Sequence, residues 1–231
     1  MVSSAPDIRL HYVHDPLCGW CYAVAPLVKA ARELMPVVGH AGGMLAGPRR
    51  RRITGDWREH VMPHDRRIEM LSGQPFGAAY FDGLLHDHGA VLDSAPPTAA
   101  VLAADQLGGR GLDLLARIQT AHYVDGRRIA EREVLLELAR DIGLSPESFA
   151  GAFDEFTGSP TEEHFAHSRQ LLNQIGGNGF PTFALEAGRQ LKIVDSSPFL
   201  GKPQAWKERL AQLAAGAALP EQHQLEPESL R

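Results

Sequence analysis

From Ile8 the chain alternates apolar and polar positions. Ile8, Leu10 and Tyr12 fall on one side of "IRLHYV", and that two-residue period predicts a β-strand running into the loop "HDPLCGWC". The period then lengthens. Trp20, Val24, Leu27, Val28, Ala31 and Leu34 recur at helical spacing, and Pro36 ends the helix. "VVGHAGGML", Val37 to Leu45, predicts a second strand whose glycines permit close backbone approach. The opening segment therefore orders as strand, helix, strand.

From about Ile53 to Thr157 the apolar positions keep a helical period almost throughout. Ser94 and Pro96 mark one helix start and Gly108 its end, and "LDLLARIQTAHYV", "REVLLELARDIG" and "SPESFAGAFDEF" predict three more helices. "SPTEEHFAHSRQLLNQIGG" carries a capping box, Ser159 with Glu162, and stops at Gly176. "PTFAL" and "QLKIV" around an Ala-Gly turn predict a β-hairpin, and a last helix is expected from about Pro203 to Ala215. Residues 217–231 are polar without apolar periodicity and are expected to be disordered. The order β-α-β, helices, α-β-β-α divides the chain into a discontinuous α/β domain, 1–52 with 158–216, and an all-α insertion, 53–157. An insertion of that length can form a small core of its own.

Composition narrows the function. A net charge of −5 gives no electrostatic case for nucleic acid as a partner. "MVSSAPDIRLHYVHDP" lacks a basic stretch followed by an apolar one, and no apolar run reaches membrane-spanning length. A cytoplasmic protein with no membrane partner is expected. That expectation changes the meaning of the two cysteines, which both lie in "CGWC". In a reducing compartment a lone pair three residues apart is catalytic or metal-binding rather than a structural staple, and beside a βαβ pattern it points to a thioredoxin-like redox fold.

A dithiol site needs one thiol ionised and exposed, and a second close enough to displace what the first has bound. Cys18 at a helix start meets unpaired backbone N–H groups and the positive end of the dipole, both of which favour a thiolate. Cys21 falls almost one turn later on the same face, within disulfide reach but shielded. Pro26 removes a helical hydrogen bond eight residues after Cys18 and predicts a kink. Pro181 follows the glycine-rich "GGNGF", whose Gly176, Gly177 and Gly179 supply the freedom for a sharp turn, and a cis Phe180–Pro181 bond is expected there.

These motifs resemble the thioredoxin superfamily, and the wider pattern is similar to its DsbA-like subgroup with a helical insert, the FrnE-like or protein-disulfide-isomerase type. "YVHDPLCGWCYAVAP", "SGQPF", "AHYVDGRRI" and "GFPTFALE" carry the likeness, from about Tyr12 to Val194. It implies an α/β, thioredoxin-like fold interrupted by an all-α helical insertion. It implies that Cys18 attacks substrate disulfides, that Cys21 resolves the mixed disulfide, that Pro181 is a cis-proline packed on the pair, and that the Phe180 backbone pairs with the substrate chain. The Gly19-Trp20 dipeptide departs from the Pro-His of the periplasmic oxidase, which argues against a strong oxidant.

The expected function is thus a thiol–disulfide oxidoreductase or isomerase acting on protein or peptide thiols and disulfides. It needs no cofactor beyond its own redox-active pair, with glutathione as a conceivable co-substrate. The alternative is a glutathione-dependent isomerase or transferase of the kappa-class or hydroxychromene carboxylate isomerase type. Those enzymes use a single hydroxyl or thiol, which the second cysteine disfavours. A metal or iron–sulfur site shared between two subunits is a third reading. Substrate contacts are also expected at Trp20, as an apolar wall, and at Gly19 and His14. A solvated role for His14 weighs more than one in steadying the Cys18 thiolate. Asp15 is expected to shape the turn with Pro16, and "PRRRR" to be a solvated loop. "HVMPH" and "HDH" are set aside as metal sites, because Pro63 should spoil the helix between His60 and His64 and the second pair lacks a third ligand.

Overall fold

Four strands form the central sheet, in the order β2-β1-β5-β6, in a computed structural model that describes residues 8–218. β1 (Ile8–His14) runs parallel to β2 (Val37–Ala41) and antiparallel to β5 (Thr182–Ala187), which turns back into β6 (Gln190–Val194). This is the thioredoxin-like sheet that the motifs implied, with a helical insertion between β2 and β5.

Two helices, not one, cross from β1 to β2. α1 (Gly19–Ala23) ends at Val24, and α2 (Ala25–Arg32) starts afresh with Pro26 in its first turn. The kinked helix expected from Trp20 to Leu34 is broken two residues before the proline. Pro26 has no N–H to give the Tyr22 carbonyl. Gln74 Nε2 donates to that carbonyl instead, at 3.2 Å, while the Tyr12 hydroxyl donates to the Cys21 carbonyl at 3.2 Å. The freed backbone groups are thus met by side chains from other elements.

β2 is also shorter than expected, ending at Ala41 rather than Leu45. At Gly42 a Cβ would lie 2.0 Å from the Phe180 ring, and Gly43 adopts a φ of +63°. A strand cannot continue through a left-handed residue.

The insertion is not wholly helical. β3 (Arg51–Arg52) pairs with β4 (Val91–Leu92) in a two-residue ladder that closes off α3 (Gly55–Ser72) and the turns after it. α3 runs straight through Pro63, which was expected to interrupt it. α3 is held from outside, with Asp65 and Ile68 seated against Gly19 of α1. α4 (Ala95–Gln106) is alanine-rich and buried on nearly all sides, as befits the central rod of a bundle. It packs against α5 (Gly111–Tyr123), α6 (Arg132–Asp141), α7 (Pro146–Phe156) and α8 (Ser159–Gln174). Two expected caps do not form. Ser94 makes no capping bond because its hydroxyl is used elsewhere, and α8 starts at Ser159 itself behind Gly158, whose φ is +84°. α9 (Pro203–Ala218) packs on α2 and extends past the expected stop at Ala215. Beyond Ala218, the tail expected to be disordered lies outside the described residues.

An aromatic column ties the layers together. His14 stacks on Tyr12 (4.9 Å), Tyr12 on its cross-strand partner Phe183 (4.8 Å), and Phe183 meets the fully buried Trp206 of α9 (5.3 Å). The same apolar core continues from the sheet into the insertion helices.

Burial makes this fold sensitive to acid. It lowers the His14 pKa to about 3 and those of His40 and His122 to about 4, so each ring is neutral when folded. The unfolded chain protonates its histidines near pH 6.5, so this stability is present above pH 6.5 and is lost as pH falls toward 3–4. Asp15 and Asp65, raised by burial to about 6, take up protons in the folded state below that pH and offset part of the loss. The urea midpoint is therefore expected to be lower at pH 5 than at pH 7. His14→Phe, which keeps a ring on Tyr12 without a proton site, should shrink the loss of unfolding free energy between pH 7 and pH 5 by about 2 kcal/mol. An unchanged pH dependence in the variant would contradict the assignment.

Candidate active site

The loop after β1 is built around one buried carboxylate. Asp15 is fully buried and accepts from the Leu17 N–H (2.9 Å), the Met44 N–H (2.6 Å) and the Ser94 hydroxyl (2.9 Å). Ser94 Oγ in turn accepts from the Leu45 N–H at 3.0 Å. One side chain thus joins the cysteine loop, the turn after β2 and the start of α4. Burial raises its pKa to about 6, against the pull of those donors and of Arg169.

Cys18 caps α1, with φ −93° and ψ 114°, and its carbonyl accepts from Cys21 and Tyr22 N–H. Cys18 stands at the first turn of the helix, where backbone amides lack helical acceptors, although its side chain makes no capping bond. Sγ lies 3.5 Å from the Phe180 carbonyl oxygen, and the Phe180–Pro181 peptide bond is cis. Cys21 is fully buried. Burial first, and then its hydrogen bond to Cys18, push its thiol well above the ordinary range. Both cysteines are free thiols, and Cys18, expected to be exposed, is itself buried at 6% exposure and meets the outside only where it lines a hollow beside Trp20.

Phe180 and Pro181 are half-buried beside Cys18, the Phe180 ring resting on Gly42. That turn is clamped from behind. Arg169 donates to the Gly42 and Gly43 carbonyls, both at 2.8 Å, and Arg49 donates to those of Gly43 and Met44, both at 3.0 Å. "PRRRR" is therefore only partly the solvated loop expected. Arg49 holds the turn, Arg51 lies over the Trp57 ring at 4.7 Å, and Arg52 bonds the Gly89 carbonyl.

Gly19 and Trp20 both border the thiol. Trp20 separates a groove of about 850 Å³, which Pro181, Arg67 and Lys202 also line, from a smaller cavity of about 330 Å³ that contains Cys18. His14 departs from its expected place. It is neither solvated nor on the substrate face but buried, its ring against Tyr12 and Gly39. The strand alternation that put it with Leu10 and Tyr12 was the available signal. Asp15, Ser94, Arg169 and Asp65 were missed as site residues. Sequence distance hides Ser94, Arg169 and Asp65, which reach the loop through tertiary packing alone, and Asp15, read as shaping a turn, shows its wider role only through its distant donors. Among the described residues, no group of three or more His, Cys, Asp or Glu could hold a metal ion, and no helix is long and apolar enough to cross a membrane.

No protein-family model matches the chain, and neither does any curated protein. Solved structures do. The cytosolic disulfide reductase DsbM from Pseudomonas aeruginosa is 54% identical, with a TM-score of 0.85 over 90% of this chain and 98% of its own. The same reductase with GSH matches at 54% identity and a TM-score of 0.84, over 90% and 99% of the two chains. DsbA from the same organism shares the fold, at 15% identity and a TM-score of 0.51 over 93% and 86%. The chain belongs to the DsbA-like disulfide oxidoreductases of the thioredoxin superfamily. It is an enzyme of thiol–disulfide exchange.

Two outcomes follow from this geometry. Iodoacetamide near neutral pH should label Cys18 far faster than Cys21 in the reduced native protein, and equal rates would contradict the asymmetry. Gly42→Ala should displace Phe180 and cost about 1–3 kcal/mol of stability with slower disulfide turnover. A variant with wild-type stability and rate would show that the Gly42–Phe180 contact is dispensable.

Proposed function

We propose that this enzyme is a cytosolic dithiol reductase or isomerase of protein and peptide disulfides, returned to its dithiol form by glutathione. The observation that carries it is the placing of Cys18 Sγ at the α1 cap, 3.5 Å from the Phe180 carbonyl, above a fully buried Cys21. The Cys18 thiolate attacks one sulfur of a substrate disulfide. The S–S bond breaks, and the second sulfur leaves as a thiolate that takes a proton from solvent. Cys21 then loses its proton and attacks Cys18 Sγ, releasing the other half of the substrate as a thiol. Two electrons have passed to the substrate, and the enzyme holds a Cys18–Cys21 disulfide. Two molecules of glutathione reduce it, giving glutathione disulfide.

The Phe180 backbone is available to pair with an extended substrate segment, strand-fashion, which lets many sequences bind. The groove beyond Trp20 offers Arg67 and Lys202 to anionic groups such as the carboxylates of glutathione. The Pseudomonas aeruginosa reductase was solved with GSH, which supports glutathione as a ligand of this fold. Gly19 and Trp20 border the reacting sulfur and would shape the approach of the substrate. The pair supplies its own redox chemistry and needs no further cofactor.

Cys18→Ser should abolish insulin-disulfide reduction, whereas Cys21→Ser should accumulate stable mixed disulfides, visible by mass. Full turnover of Cys21→Ser with glutathione would instead point to transferase-like chemistry on a single thiol. A redox titration of the pair against glutathione buffers separates the two leading roles, a strongly reducing potential marking a reductase and an oxidising one an isomerase.

A further inference from the structure

The smaller hollow on the insertion side of Trp20 is unlike the groove. Its walls mix four aromatic rings, Trp20, Trp57, Tyr80 and Tyr123, with leucine, isoleucine, valine and methionine side chains, and Cys18 lines it. No lysine or arginine lines it. It does contain a buried acid, Asp65 of α3, whose residue is only 6% exposed. The Tyr80 hydroxyl donates to Asp65 Oδ2 at 2.7 Å. Oδ1 has no donor among the described residues, and it lies 3.0 Å from where a Cβ on Gly19 would stand. The unused oxygen therefore sits over the residue that follows Cys18, and the absence of a side chain at Gly19 makes the approach possible.

An acid buried this way is costly unless something pairs with it. Burial raises its pKa to about 6, only partly opposed by Tyr80. The other titratable groups facing the hollow are Tyr80, Tyr123 and His122, each held neutral near pH 7 by burial, and His60 and His64 at its exposed rim. Aromatic walls around a single carboxylate suit an ammonium group, through the ring faces and a charge-assisted hydrogen bond together.

We propose that Asp65 recognises a primary ammonium group close to the sulfur that Cys18 attacks, so that this cavity selects small disulfides of the aminothiol class. The inference rests on Cys18 being the attacking thiol. The exchange step is the one already described: Cys18 S–S substrate forms, the substrate S–S bond breaks, and the departing thiolate is protonated. The electrons come from the Cys18–Cys21 dithiol.

Three disulfides of similar length and different charge test it: cystamine, bis(2-hydroxyethyl) disulfide and dithiodiglycolate. The rate at which each oxidises the reduced protein at pH 7.5 is divided by its rate with dithiothreitol, which removes intrinsic reactivity. Wild type should prefer cystamine to the hydroxyethyl compound by about tenfold and disfavour the dianion, as expected of a buried charge-assisted contact. Added salt should leave most of that preference in place. Asp65→Asn should erase it, bringing the ratio of the cystamine rate to the hydroxyethyl rate close to one. A preference that survives in Asp65→Asn, or an equal slowing of all three disulfides, would overturn the proposal. A second measurement uses the wild-type protein alone, should Asp65→Asn not fold. Butylamine, but not 1-butanol, should slow iodoacetamide labelling of Cys18, and equal protection or none would count against an ammonium site. If no disulfide oxidises the protein yet butylamine still protects Cys18, the ammonium site stands and the reductase reading falls.

Discussion

The buried Asp15 carboxylate is the junction on which the rest of the site depends. Its two oxygens gather donors from three separate parts of the chain, Leu17, Met44 and Ser94. The cysteine segment makes contacts with Phe180 and with α3, and Asp15 adds side-chain ties to these. Through Asp15 it is fixed to the turn after β2, and through that turn to the Phe180 ring resting on Gly42. The placing of Cys18 against the Phe180 carbonyl is a consequence of this chain of contacts. A fully buried acid is expensive to solvate poorly, so its three donors are what make the arrangement tolerable.

The break between α1 and α2 serves the same end. A continuous helix from Gly19 would have spent the Tyr22 carbonyl internally. With Pro26 in place that carbonyl has no partner four residues on, and Gln74, just after α3, joins the Val24 N–H in bonding it. The short α1 thereby becomes a separate unit, held by Tyr12 from the sheet on one side and by the insertion on the other. The insertion is a working part of the site. It supplies Asp65 and the aromatic walls on one side of Trp20, and Arg67 on the other, so the two hollows flanking the tryptophan differ in charge.

Much of the fold was legible locally. The alternation at Ile8 to Tyr12, the helical period after Trp20 and the closing hairpin each reflect which side of an element is buried, and that pattern survives in one dimension. The paired cysteines and the proline after "GGNGF" were legible for the same reason, since each depends on spacing within one loop. Shortfalls arose where a residue's partner lies far along the chain. Ser94 has the sequence signature of a helix cap but spends its hydroxyl on Asp15. Ser159 and Glu162 fit a capping box, yet the helix begins one residue earlier than that box requires. His14 looked like a loop residue and is a buried part of the aromatic column.

The sequence by itself determined the class of chemistry, because two thiols at a helix start and a proline-bearing loop are local patterns with few physical uses. Only the tertiary structure decided what surrounds the thiols. Asp15 comes from the loop after β1, Asp65 and Arg67 from α3 and Arg169 from α8, and no periodicity records that they converge. Burial then sets their behaviour. The same carboxylate that would be an ordinary surface acid becomes, once enclosed, a hub at Asp15 and at Asp65 an acceptor with one oxygen bonded by Tyr80, and enclosure is a property of the packed chain alone.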